Sequence, residues 1–398
     1  MFMKLSTPMF FLCLGSIVLF NSCKKDEPET PIITTDITLP CDYFKSNRTL
    51  VNDTNKAVDY IINCVMDVEA NITIEPGVVI QFEENAGIVV RTGFFKAVGT
   101  EAKPVQLKGK LEIPGFWRGI YFQNGSLQNE LTYTHISSSG GSAFDSNGDR
   151  GSVLLFGPGK VKMNHCKIDK SGHYGLNAPY SNCEFEVKNT LFSNCAKAPI
   201  HLEPEYMKLL DNSNTFVNNT ENHVAVQLNG GVLNGNQTIQ ALSIPYRFYQ
   251  YSGFYEWLII QNGTTSFAGP VVLQFDEIIG ISVGSNGGLK IEGTATEKAL
   301  LTGSNPSPGS WKGIYFEGTQ LDNRLNHTII EYSGSIYDNN RFGISMWNSP
   351  QVTVENSTFR NINGCAFYDY NEETTPNPNL NQLNNSFVNV TGGELCHP

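Results

Sequence analysis

Short apolar runs alternate with turn-forming residues along nearly the whole chain. Ile72-Thr73-Ile74, Val78-Val79-Ile80, Ile88-Val89-Val90, Val105-Gln106-Leu107, Ile120-Tyr121-Phe122 and Val352-Thr353-Val354 are rich in β-branched and aromatic residues. Gly, Asn, Asp and Ser separate them. Such runs predict short strands, because branched and aromatic side chains fit a pleated surface and the separators fit turns. No long stretch carries a helical period with caps, and Tyr206–Leu210 has room for one helical turn at most.

The pattern also repeats at long range. Gly115-Phe116-Trp117-Arg118-Gly119-Ile120-Tyr121-Phe122 matches Gly309-Ser310-Trp311-Lys312-Gly313-Ile314-Tyr315-Phe316, an offset of 194 (117 to 311). Ile136–Gly140 matches Ile330–Gly334 at the same offset, and Val78–Phe82 matches Val271–Phe275 one residue short of it. Two halves of similar plan follow from this. Within each half, Asn-led segments end in an apolar anchor: Ile168, Phe192 and Phe216 in the first, Ile330, Phe359 and Phe387 in the second. The anchors lie 24 residues apart in the first half (168, 192, 216) and 29 then 28 apart in the second (330, 359, 387). Periods of this size, built from short strands, predict a solenoid in which each coil adds one rung to parallel sheets and buries its anchor over the last. Asn suits the turns, where its amide bonds to the backbone or to its neighbour in the next rung.

On Thr73–Phe82, Gly99–Pro104 and the two Trp-x-Gly-Ile-Tyr-Phe segments, the chain resembles the right-handed parallel β-helix repeat lipoproteins of the Bacteroidota, over about residues 58–395. The resemblance implies an all-β, right-handed parallel β-helix, a handedness that parallel crossovers favour in general. The expected organisation is a signal peptide over 1–22, a lipidated tether over 23–40, and an N-terminal cap over 41–57. A first β-helical half over 58–240 and a second over 241–398, ending in a C-terminal cap, complete it.

The N-terminus supports that address. Lys4 precedes an apolar run from Met9 to Phe20, followed by Asn21, Ser22 and Cys23. The run is too short to span a bilayer comfortably and has the form of a secretory signal. Together with Lys24-Lys25-Asp26-Glu27 it resembles a lipobox, although Phe20 stands where Leu is usual. This implies acylation (palmitate or a similar chain) at Cys23, a membrane partner through that anchor, and an outer-membrane location, with the cell surface as one face. Pro28, Pro31 and Pro40 fit an extended tether.

Charge narrows the partners. With 27 basic and 38 acidic residues the chain carries a net charge of −11, so a nucleic-acid partner is not expected. Of the nine cysteines, Cys13 leaves with the signal and Cys23 takes lipid. Cys41 and Cys64 near the start, and Cys365 and Cys396 near the end, are disulfide candidates, with connectivity open. Cys166, Cys183 and Cys195 read as buried, inert thiols.

No catalytic residue, metal site or cofactor is assigned. Related folds host polysaccharide lyases and glycoside hydrolases, and an enzyme of that kind is the alternative function. Hydrolysis needs two carboxylates converging on one bond. The candidates are Asp145 and Asp149, Glu203 and Glu205 near His201, and Asp369 with Glu372 and Glu373. All read as solvated loop acids. Glu83-Glu84 and Asp276-Glu277 read as a turn shared by both halves, with a weak calcium site as the alternative. The preferred function is non-catalytic binding of a polysaccharide or a surface protein. The aromatic cluster from Tyr246 to Trp257 supplies Tyr249, Tyr251, Tyr255 and Trp257 as ligand-binding candidates, with Trp347 as a further outward position.

Overall fold

The computed structural model describes residues 37–250, 257–337 and 339–398. The expectations for Cys23, Tyr251 and Tyr255 lie outside the described residues. Within them the chain is an all-β, right-handed parallel solenoid of about thirteen coils. Each anchor predicted from the sequence sits over its neighbour. Ile168, Phe192 and Phe216 are in register, as are Ile330, Phe359 and Phe387. Along most strands the alternate residues point into one continuous apolar core.

A coil of the first half visits three sheets in turn: one of eight strands, one of thirteen and one of six. The thirteen-stranded sheet runs on through the second half, whose other two sheets have seven and six strands. The internal repeat is out of step with this continuity. Val79–Phe82 lies in the eight-stranded sheet, whereas its counterpart Val272–Phe275 lies in the thirteen-stranded one. Ile120–Phe122 belongs to the thirteen-stranded sheet, and its counterpart Gly313–Glu317 to the seven-stranded sheet. Each element keeps its place within its own half but has moved round by one face.

The six-stranded sheet ends for a local reason. After strand Ile200–Leu202, a six-residue 3-10 turn, Pro204–Leu209, stands where the first half's six-stranded sheet would gain its next strand. Pro204 has no N–H to give to a ladder. That sheet therefore ends at Glu184–Lys188, and the new sheets begin at Val232–Asn234 and Gln237–Gln240.

The tight corner of the coil moves with the repeat. It is held in the left-handed region by His165 and Asn189 in the first half, and by His327, Asn356 and Asn384 in the second. Asn reaches that region more readily than other non-glycine residues. At these corners the side-chain amides form ladders: Asn189 donates to Asn164 at 3.0 Å, and Asn356 to Asn326 at 3.0 Å.

The ends are tied. Cys41 bonds to Cys64, beside the fully buried Phe44, and Cys365 bonds to Cys396. Residues 380–398 add the strands Leu380–Leu383, Ser386–Val390 and Leu395–Cys396 to the three second-half sheets. Cys166, Cys183 and Cys195 are free and buried, and burial pushes each thiol up to about 12. A thiolate is the reactive form. The native protein is expected to show no reaction of these three with a thiol-specific dye at pH 8, and full reaction in denaturant. Rapid labelling of the native state would contradict the packing.

Candidate functional site

On the seven-stranded sheet the inward residues Ile281, Ile314 and Ile344 fill the core, so their neighbours must face out. The resulting outer column runs Ile259, Ser282, Tyr315, Ser345 and Tyr368, one residue per rung. Trp257 opens the second strand of this sheet, Trp257–Gln261, and lies down over the next rung. Its ring can do so because residue 280 is Gly: a Cβ there would stand 2.5 Å from the indole. The indole and the Tyr315 ring are 6.3 Å apart and inclined at 49°. Lys312 Nζ sits 4.9 Å from the Trp257 ring centre, within cation–π range.

Of these, Trp257, Ser282 and Tyr315 wall one side of an open cleft of about 430 Å³. The opposite wall comes from Asn339 and Asn340, in the turn before strand Phe342–Trp347, and from Tyr370. Asn340 Nδ2 donates to Tyr370 Oη at 3.1 Å. Ser345 Oγ, in the same outer column, is buried with no hydrogen-bond partner among the described residues. Flat aromatic faces beside amides and hydroxyls are the elements that stack on a sugar ring and bond its rim.

The first half holds the counterpart of this shelf in a closed form. Tyr121 matches Tyr315 in the repeat and also faces outward, between Val89 and Leu154. It is covered by the chain itself. Phe144 and Phe156 lie 5.3 and 6.1 Å from its ring, and its hydroxyl donates to Asp145 at 3.2 Å. Burial first, and Asp145 after it, push the Tyr121 phenol up to about 12. Of two equivalent tyrosines, one is occupied by the loop over 138–150 and the other stands open.

The sequence candidates separate. Trp257 lines the cleft. Trp347 projects from the end of its strand opposite Glu317 and is 42% exposed, outside the cleft lining. Tyr249 lies on the thirteen-stranded sheet and serves a buried polar network. Its hydroxyl bonds to His201 Nε2 at 2.6 Å, and His201 Nδ1 bonds to Asn177 Oδ1 at 2.7 Å. Tyr315 and Tyr370 line the cleft without being among the sequence candidates. The usable signal for Tyr315 was alternation, since Ile314 and Phe316 both point inward.

Burial pushes the His201 imidazole down to about 3, so it stays neutral in the fold. Its unfolded value is near 6.5. Between those values the unfolded chain binds the proton and the folded chain does not, so stability falls as pH drops below 6.5. The slope is about 1.4 kcal/mol per pH unit for this one group. Urea unfolding at pH 7 and pH 5 should show that loss in the parent and a smaller one in His201→Gln. Equal pH dependence in both would remove His201 as the cause.

The acids do not pair for chemistry. Asp145 and Asp149 accept from the hydroxyls of Tyr121 and Tyr180. Asp369, expected as a solvated loop acid, is instead 2% exposed and accepts from the N–H groups of Asn371 and Asn377, which fixes its turn. Asp276 is held by Arg247 at 2.8 Å, and Glu83 by Lys110 at 2.8 Å. Glu203 is the exception: burial, then the charge of Glu205, raises it to about 7. It lies in a separate depression with Asn229 and Gly230. Among the described residues no group of three or more His, Cys, Asp or Glu is placed to hold a metal ion.

Comparison with known proteins finds no matching family model, no matching curated protein and no matching solved structure.

Proposed function

We propose that this chain is a cell-envelope lipoprotein of the Bacteroidota type, anchored in the outer membrane through acyl chains on Cys23, whose solenoid binds a glycan without cleaving it. The observation that carries the binding reading is the open shelf of Trp257 and Tyr315 facing Asn340 and Tyr370, whose first-half counterpart is filled by the chain's own loop. The lipobox-like run before Cys23 supports the anchor. Several acyl chains give stable attachment, at about 0.8 kcal/mol per buried methylene.

The test uses the soluble chain from residue 24 on a glycan array, followed by a reducing-end assay on any glycan it binds. Binding should weaken at least tenfold in Trp257→Ala and in Tyr315→Ala and stay unchanged in Trp347→Ala. Release of new reducing ends would replace this reading with the hydrolase or lyase alternative. Binding that ignores both substitutions would move the site elsewhere. For the anchor, Cys23→Ala should shift the full chain from the membrane to the soluble fraction and abolish labelling by a palmitate analogue.

A further inference from the structure

The turn that follows the Gln-Phe strand has the same backbone in both halves. Ala86 N–H donates to Glu83 O, and Ile279 N–H to Asp276 O, each at 3.1 Å. Both turns pass through the left-handed region one residue earlier, at Asn85 (φ 60°) and at its counterpart Ile278 (φ 68°). Asn enters that region readily, whereas a β-branched residue crowds its own backbone there. Ile278 is the only β-branched residue in the left-handed region among the described residues. The turn itself does not call for isoleucine, since Asn85 closes the same turn in the first half. Backbone strain of this kind gathers at ligand clamps and switch regions.

A second change accompanies the first. In the first half Ser142 Oγ donates to Asn85 Oδ1 at 2.5 Å. The second half has Ile278 and Ile336 at those two places, at offsets of 193 and 194 (85 to 278, 142 to 336). A hydrogen-bonded polar pair is thus replaced by two isoleucines, and Ile336 is 56% exposed. With Pro308 they form the apolar wall of an open cavity of about 620 Å³, which Asp276 and Glu277 also border. Arg247 holds Asp276 through two bonds, at 2.8 and 3.3 Å, so that charge is neutralised. Among the described residues no cation pairs with Glu277, which is exposed and lies beside the Tyr337 hydroxyl.

The wall and the rim state what would fit. Branched aliphatic surface favours an aliphatic side chain, whereas sugar rings stack on aromatic faces. The remaining carboxylate at the rim, on a chain of net charge −11, favours a cation beside it. We propose that this cavity docks a partner polypeptide through a large aliphatic side chain followed by a basic residue, the first against Ile278 and Ile336 and the second on Glu277. The site is separate from the Trp257 cleft and does not rest on the glycan reading.

The experiment titrates the mature chain with dye-labelled, end-blocked peptides Gly-Leu-Lys-Gly, Gly-Ala-Lys-Gly and Gly-Leu-Glu-Gly by fluorescence anisotropy. The first should bind about fivefold or more tightly than either of the others. Ile278→Asn, which installs the first-half residue, should weaken that binding by a similar factor and raise the melting temperature by about 2 °C, because the strain leaves with the side chain. Glu277→Gln should remove the preference for Lys over Glu and keep the preference for Leu over Ala. Asn85→Ile should lower the melting temperature without changing peptide binding, and Trp257→Ala should bind the peptide as the parent does. No binding of the first peptide, equal binding of all three, or undiminished binding by Ile278→Asn overturns the proposal. A lower melting temperature in Ile278→Asn also overturns it, since Ile278 would then serve the core. So does a glycan whose binding Ile278→Asn abolishes, which would make the cavity a sugar site.

Discussion

Trp311→Ala will destabilise the second half of the solenoid by about 3–5 kcal/mol, in the range for truncating a fully buried large aromatic. The indole is 0% exposed and stacks on Phe275, with ring centres 4.5 Å apart and planes within 11°. Its Nε1–H donates to Glu331 O at 2.8 Å, which ties one coil to the next. Truncation removes the stacking surface, opens a cavity and leaves a buried carbonyl short of a donor. The same construction stands in the first half, where Trp117 lies 3.8 Å over Phe82 and donates to Ser137 O at 2.8 Å. Because each coil touches mainly its neighbours, the loss should be local. Hydrogen exchange should accelerate first in strands Val272–Phe275 and Ala299–Gly303, while the first half keeps its protection. Trp347→Ala, at a 42% exposed position, should change stability by no more than about 0.5 kcal/mol. Equal melting of the two variants would show that the repeated Trp is not a core element.

The pairing of anchors was legible because a solenoid makes distant contacts periodic. Ile168, Phe192 and Phe216 could be matched by counting residues alone, and they stack. The rotation of the second half by one face was not legible. Which sheet a strand joins depends on how many faces the chain has visited before reaching it. From Val79–Phe82 to Val272–Phe275 that number, with Pro204–Leu209 standing in for one strand, is one more than seven whole coils, so each element arrives one face on from its counterpart. The repeat records what each segment is, not the angle at which it arrives.

The same reasoning explains the partial view of the site. A dense run of aromatics marks residues 246–257 in the sequence, and Trp257 does line the cleft. Tyr249, eight positions earlier, faces out from a different sheet and is absorbed by His201. The residues that complete the cleft come from later coils, and nothing in their sequence spacing joins Tyr315 and Tyr370 to Trp257. Their proximity is a product of stacking. Gly280 is a further example: it sits one rung beyond Trp257 and reads as an ordinary turn glycine, yet its missing Cβ is what lets the indole lie flat.

Asn323→Leu should cost about 3 kcal/mol or more, although the substitution adds apolar volume to a buried position. The Asn323 side chain is 0% exposed, and its amide stitches three coils. Oδ1 accepts from Leu289 N–H at 2.8 Å, and Nδ2 donates to Leu321 O and Gln351 O, each at 2.8 Å. Leucine leaves those backbone groups buried and unpaired, at about 1–3 kcal/mol for each group stranded. The first half repeats the device at Asn129, again an offset of 194 (129 to 323), with Oδ1 on Phe95 N–H at 2.9 Å and Nδ2 on Lys160 O at 2.9 Å. A contrasting Asn lies on the exposed corner ladder: Asn234 accepts from Asn262 at 2.8 Å, where water can take either place. Asn234→Ala should therefore shift stability by no more than about 0.5 kcal/mol. Urea unfolding of the two variants distinguishes an amide that satisfies the corner's backbone from one that decorates it, and equal midpoints would reject the distinction. The abundance of Asn in this chain then has two separate causes. At the tight corners the left-handed backbone favours it, and at positions such as 129 and 323 a buried turn needs one acceptor and two donors from a single short side chain.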